Sequence, residues 1–172
     1  VKGAIYGTAS ATASTGSTRL VFTGGEINGW VAGACNGTRS DGYTGELVGN
    51  CYIYVGGNAE LRSHNNDGVY NNAYGLVFNV QGGTVFGAGK GLDNSVNYIG
   101  SANETYISVS DEAYIEQAVY GGAFHGIAKE SHIYLTGNAR VGNVYGGSFE
   151  PVHADNEPDR KSTRLNSSHQ VL

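Results

Sequence analysis

Between Ile107 and Phe149 the chain writes one pattern of apolar and polar positions twice. In the first copy Ile107 and Val109 alternate with polar residues and Asp111-Glu112 turn the chain. Ala113 and Ile115 follow, and Ala118-Val119-Tyr120-Gly121-Gly122-Ala123-Phe124 closes the copy. The second copy reads Ile133 and Leu135, Gly137-Asn138, Ala139 and Val141, then Asn143-Val144-Tyr145-Gly146-Gly147-Ser148-Phe149. It is one residue shorter before its Tyr-Gly-Gly. Period-two alternation broken by Gly and Asn predicts short strands joined by tight turns. A unit of about 25 residues with so few apolar positions cannot bury a core alone, but stacked copies can.

Earlier segments follow the same pattern less regularly. Leu20 and Phe22 alternate with Val21, Thr23-Gly24-Gly25 turn, Ile27 points inward, and Val31-Ala32-Gly33-Ala34 stands in the Val-Tyr-Gly-Gly place. In Cys51-Tyr52-Ile53-Tyr54-Val55 the aliphatic residues point inward and the tyrosines outward. Gly56-Gly57-Asn58-Ala59 turn, Leu61 points inward, and Val69-Tyr70 resumes the phrase with Asn71-Asn72 in place of its glycines. Leu76, Phe78 and Val80 alternate, and Val85-Phe86-Gly87-Ala88-Gly89 gives the phrase again. Residues 36–50, 63–68 and 92–102 read as polar excursions, the last with a strand fragment at 96–99.

The expected fold is therefore all-β, a single-stranded parallel β-helix (β-solenoid). Ile107 should sit above Ile133, Val109 above Leu135, and Tyr120 above Tyr145. Glycine interrupts every helical window. An antiparallel β-sandwich of hairpins is the alternative; it accounts for the alternation but not for the same phrase recurring in chain order. Tyr70, Tyr120 and Tyr145 are expected to stack as core. Residues 1–154 form the expected solenoid fragment. From Asp155 the alternation stops, and 155–172 read as a non-repeat, non-native tail that packs against nothing specific.

Composition narrows the partners. Ten Lys and Arg against 15 Asp and Glu give a net charge of -5, so no basic stripe is expected for nucleic acid. No apolar stretch is long enough for a membrane-spanning helix, and no membrane insertion is expected of this segment. Cys35 and Cys51 are the two cysteines of the chain. Their setting in Gly/Asn-rich turn sequence suits a disulfide, worth about 3 kcal/mol for a loop of this length. Two unconnected small core residues are the other reading.

The phrases at Val21–Ala34, Ile53–Tyr70, Phe78–Gly89 and Ile107–Phe149 resemble the repeats of adhesin-like surface proteins of gut bacteria and archaea. Those repeats are assigned to pectin-lyase-like parallel β-helices. The resemblance implies a fragment of a longer secreted or cell-surface protein, with flanking repeats and a host or microbial surface glycan or protein as partners. The tail from Pro158 resembles translated sequencing-adapter read-through.

An enzyme on such a coil would be a polysaccharide lyase or glycoside hydrolase, which is the alternative function. Asp111, Glu112 and Glu116 are its carboxylate cluster, with Lys129 and Arg140 the nearest basic residues in sequence. Three carboxylates supply only part of a Ca²⁺ shell, and they read first as surface turn acids. His125 and His132 lack a nucleophile or orienting acid at a telling position and read as surface histidines. Gly87-Ala88-Gly89-Lys90-Gly91 lacks phosphate-loop spacing. No catalytic residue, cofactor or metal site is therefore assigned. Tyr52, Tyr54 and Tyr134 are the binding candidates, because outward tyrosines on stacked strands would line up into a stripe suited to sugar faces or protein surfaces.

Overall fold

The computed structural model describes residues 1–8, 16–35, 49–63, 69–71, 77–79, 82–90, 100–124, 126, 128–149 and 163–167. These residues form strands and turns with no helix. In chain order the strands are β1 (Ile5–Tyr6), β2 (Thr18–Phe22), β3 (Glu26–Asn28), β4 (Trp30–Ala32) and β5 (Cys51–Val55). Then come β6 (Glu60–Arg62), β7 (Val69–Asn71), β8 (Val77–Asn79), β9 (Thr84–Phe86) and β10 (Ala102–Val109). The last are β11 (Tyr114–Tyr120), β12 (Ala128–Leu135), β13 (Arg140–Tyr145) and β14 (Thr163–Ser167).

Successive copies of the repeat lie side by side, parallel and in register. One sheet runs β2, β5, β10, β12, β14. It aligns Leu20, Ile53, Ile107 and Ile133 in one column, and Phe22, Val55, Val109 and Leu135 in the next. The expected pairs Ile107–Ile133 and Val109–Leu135 are thus neighbours. In the second sheet Ile27, Leu61, Ile115 and Val141 form a column. Ile5, Val31, Val85, Val119 and Val144 form another. These aliphatic columns face one another across a continuous core. Alternation alone fits a hairpin sandwich equally well, but a sandwich of hairpins pairs its strands antiparallel, whereas here the copies pair in parallel in chain order.

The missing residue of the last copy is visible as a bulge. Ile115 pairs with Val141 and Ala118 with Asn143, so Glu116-Gln117 stand opposite Gly142. A Cβ on Gly142 would fall 2.4 Å from the Gln117 carbonyl oxygen, so a side chain there has no room.

The Val-Tyr-Gly phrase has a steric cause. A Cβ on Gly33 would lie 2.1 Å from the carbonyl oxygen of Gly87, and one on Gly87 would lie 2.2 Å from that of Gly121. One on Gly121 would lie 2.4 Å from that of Gly146. Neighbouring tiers meet backbone to backbone along this column. Small polar side chains secure it from within. Thr18 Oγ1 donates to the Gly33 carbonyl at 2.5 Å, Thr105 Oγ1 to Gly121 at 2.5 Å, and Ser131 Oγ to Gly146 at 2.7 Å.

Three expectations are corrected by the strand register. Cys51 occupies the position filled by Thr18, Thr105 and Ser131 in the other tiers. Cys35 and Cys51 are both buried thiols and do not form a disulfide. Cys51 fills the small inward slot against Gly33, whose Cβ would lie 2.8 Å from its own. Burial pushes the Cys51 thiol up to about 11. We predict that a thiol reagent at neutral pH leaves Cys51 unmodified in the folded protein and modifies both cysteines after denaturation. A mass shift showing a bridged pair under the same native conditions would contradict this.

Val69-Tyr70 is the second correction. It does not join the stack as a copy of the phrase; β7 pairs antiparallel with β8, making a hairpin between β6 and β9. Asn71 follows Tyr70 where the stack requires a glycine, and β9 with Gly87 takes that place instead. The third concerns the tail. Residues 163–167 form β14, in parallel register on β12 with Leu165 opposite Ile133. The free N–H and C=O groups along the outer edge of β12 accept a further strand without requiring the repeat itself. The expected strand at 96–99 lies outside the described residues.

Candidate binding face

The residues that alternate with the inward columns of β2, β5, β10 and β12 form two rows on the outer face. One row is Arg19, Tyr52, Tyr106 and His132; the other is Val21, Tyr54, Ser108 and Tyr134. Tyr52 and Tyr54 thus face outward as expected, and Tyr134 shares a row with Tyr54.

The first row is a continuous stack. Tyr52 and Tyr106 have centroids 5.0 Å apart and planes 9° from parallel; Tyr106 and His132 are 4.5 Å apart at 7°. The Arg19 guanidinium caps the stack, 5.6 Å from the Tyr52 centroid. In-register strands fix these spacings, which is why rings recur at each tier. On one flank the Tyr106 hydroxyl donates to Glu104, and His132 Nε2 lies 3.3 Å from Glu130 Oε1. Asn50 Nδ2 also reaches Glu104, at 3.5 Å.

On the other flank Tyr54 is held by a turn. Its hydroxyl donates to Asp111 Oδ2 at 3.1 Å and accepts from Ser110 Oγ at 2.9 Å. Asp111 Oδ2 also accepts the Gly57 N–H at 2.8 Å. Asp111 has φ 58, the left-handed conformation that Gly57 (φ 59) and Gly137 (φ 65) adopt in neighbouring turns. The Gly57 N–H bond, then the Ser110 and Tyr54 hydroxyls, hold the Asp111 carboxyl below the usual carboxylate range. Gly56 leaves space for Tyr54, since a Cβ there would lie 2.3 Å from the phenolic oxygen. Between the two rows runs a shallow groove of about 220 Å³, with Tyr54, Tyr106, Ser108 and Tyr134 along it and Arg19 and Val21 at its β2 end.

Hydrogen bonding to Glu104 pushes the Tyr106 hydroxyl up to about 12. Because the folded value is raised, its stabilising effect is full below the unfolded value and is lost as pH rises through the folded one. We predict that a tyrosinate absorbance titration of the folded protein contains a component near 12 that Tyr106→Phe removes. An unchanged titration in that variant would contradict the assignment.

The carboxylates expected for an enzyme do not converge. Asp111 turns to Gly57 in one tier, while Glu112 Oε1 accepts from Asn138 Nδ2 at 2.7 Å in the opposite tier. Glu116 Oε2 accepts the Ser63 N–H at 2.7 Å. The Arg140 guanidinium lies 5.0 Å from the Tyr114 ring, Lys129 is exposed, and His125 lies outside the described residues. Each acid serves a turn or a strand junction. Among the described residues no three His, Cys, Asp or Glu side chains gather as a metal site would need.

A second aromatic cluster lies elsewhere. Tyr120 stacks on Phe86 at 5.3 Å and on Tyr145 at 4.8 Å, as their register requires. These rings alternate with Val85, Val119 and Val144, so they lie outside the main core; Phe124 and Phe149 pack against them. Tyr145 remains 46% exposed. The expectation of a tyrosine core is thus corrected for Tyr120 and Tyr145, and the Tyr70 side chain lies outside the described residues.

Sequence reasoning did not find Arg19, Tyr106 and Ser108 as members of the outer face, and it read His132 as a surface histidine without placing it in the aromatic row. The signal was present in four aligned pentapeptides: Thr18–Phe22, Cys51–Val55, Thr105–Val109 and Ser131–Leu135. Each begins with a small polar residue or cysteine and places apolar side chains at its third and fifth positions, leaving the second and fourth outward. No protein-family model matches the chain, and no curated protein or solved structure shows significant similarity to it.

Proposed function

We propose that this chain is a non-enzymatic β-solenoid module of an adhesin-like secreted or cell-surface protein, and that its outer aromatic face binds a surface glycan. The observation that carries this is the row of stacked rings at three consecutive tiers, Tyr52, Tyr106 and His132, beside Tyr54 and the 38%-exposed Tyr134. Rings with polar edges held at fixed spacing on a rigid sheet bind other rings with little loss of conformational freedom. Parallel register through successive repeats supports the solenoid, and the resemblance of the repeat phrase supports the adhesin class.

A glycan array compares the chain with a Tyr52→Ala/Tyr106→Ala/Tyr134→Ala variant of unchanged circular dichroism. The proposal expects array signals that the triple variant loses. Equal signals from both proteins would overturn the binding face, and turnover of a bound polysaccharide would overturn the non-enzymatic role.

A further inference from the structure

The two outer rows differ at one place. The first row carries Tyr52, Tyr106 and His132 on three consecutive strands, stacked at 5.0 and 4.5 Å. The second carries Tyr54 and Tyr134 on the outer two of those same strands, with Ser108 between them. Strands are about 4.8 Å apart, so Tyr54 and Tyr134 project from positions about 10 Å apart with no ring in the middle. Face-to-face stacking needs about 4.5 Å or more on each side, so the gap admits one ring.

From this geometry we infer that the slot above Ser108 is a subsite for one neutral pyranose ring, held between Tyr54 and Tyr134 with Tyr106 as its side wall. The inference rests on the glycan-binding reading above and specifies where and what the face binds. Size is the first argument. The whole groove, from Arg19 and Val21 past Tyr54 to Tyr134, is about 220 Å³, below the roughly 300–1,000 Å³ of drug-sized ligand and cofactor sites, and the slot above Ser108 is only one part of it. Its open ends let a longer saccharide continue across the sheet.

Polarity is the second argument. A pyranose has C–H faces for stacking and hydroxyls around its rim, and the slot provides for both. Ser108 and Tyr54 line the groove, and the Tyr54 hydroxyl is tied to the Ser110 and Asp111 oxygens of the adjoining turn. The Asp111 carboxylate, held ionised by the Gly57 N–H, has further lone pairs to accept sugar hydroxyls. Charge selects the neutral class. Glu104 and Glu130 line the flank beyond Tyr106 and His132, disfavouring uronic or sialic acids at the slot, while the Arg19 cation lies two strands away at the β2 end of the groove.

The test uses methyl β-D-glucopyranoside and methyl β-D-galactopyranoside, with saturation-transfer NMR from the tyrosine ring protons. Ser108→Tyr supplies the missing ring and is the decisive variant. It suits an outward strand position, and its folding is checked by an unchanged melting curve. Expected is transfer concentrated on the axial C–H protons of at least one glycoside, with affinity at least 10-fold weaker in Ser108→Tyr. Equal affinity for both proteins would overturn the slot, and so would transfer to neither glycoside in the unsubstituted chain. Array signals lost in the triple tyrosine variant but kept in Ser108→Tyr would leave the face as the binding surface and reject the slot alone. Signals kept in the triple variant would reject both.

Discussion

Gly87→Ala should unfold this chain at a markedly lower temperature than the parent. The added Cβ would lie 2.2 Å from the Gly121 carbonyl oxygen and 2.8 Å from Thr105 Cβ. Neither neighbour is free to move. The Gly121 carbonyl accepts the buried Thr105 hydroxyl, and the Gly87 N–H is bonded to the Tyr120 carbonyl. Tiers must separate locally, which breaks cross-tier hydrogen bonds as well as packing. Overpacking of this severity costs about 3 kcal/mol or more, or about 10 °C in Tm for a chain of this size. Gly147→Ala is the control, since nothing lies within 4 Å of a Cβ built there. It should change stability by less than about 0.5 kcal/mol. Equal melting temperatures for the two variants would mean that the tiers do not approach through this glycine column.

Ile107→Ala should be comparably damaging for the opposite reason. Ile107 is fully buried at the centre of the main sheet, between Ile53 on one strand and Ile133 on the other. Backbone hydrogen bonds on both sides hold its strand in place, so the stack cannot close the cavity. The expected loss is about 2–5 kcal/mol, measured by denaturant unfolding. Val21→Ala on the 57%-exposed edge should cost far less. A loss below about 1 kcal/mol at Ile107 would show that the column is not the core.

The difference between what was legible and what was missed follows from how each feature is encoded. The stacking of Ile133 on Ile107 could be read directly, because the two copies adjoin and differ by a single residue. Its structural consequence, a bulge at Glu116-Gln117 opposite Gly142, follows from that count. The outward direction of Tyr52 and Tyr54 could be read from alternation alone. Tyr106 could not be placed beside Tyr52 this way, because pairing Ile53 with Ile107 requires crossing two long interruptions of the repeat. The β7–β8 hairpin hid the same register by presenting Val69-Tyr70 as a false copy of the phrase. Cys51 was read by its chemistry rather than its column, where Thr18, Thr105 and Ser131 mark the position as a small inward group. In each case the missing information was long-range register, which local pattern specifies only where copies are contiguous.

Parallel stacking of successive repeats underlies the core, the glycine column and the aromatic rows together. Cross-strand nuclear Overhauser effects between the segments Thr105–Val109 and Ser131–Leu135 test it most directly. Contacts pairing Thr105 with Ser131, Ile107 with Ile133 and Val109 with Leu135, all in the same direction, are expected. Contacts pairing Thr105 with Leu135 and Val109 with Ser131 would mean antiparallel strands, and would contradict the stack and the binding face built on it.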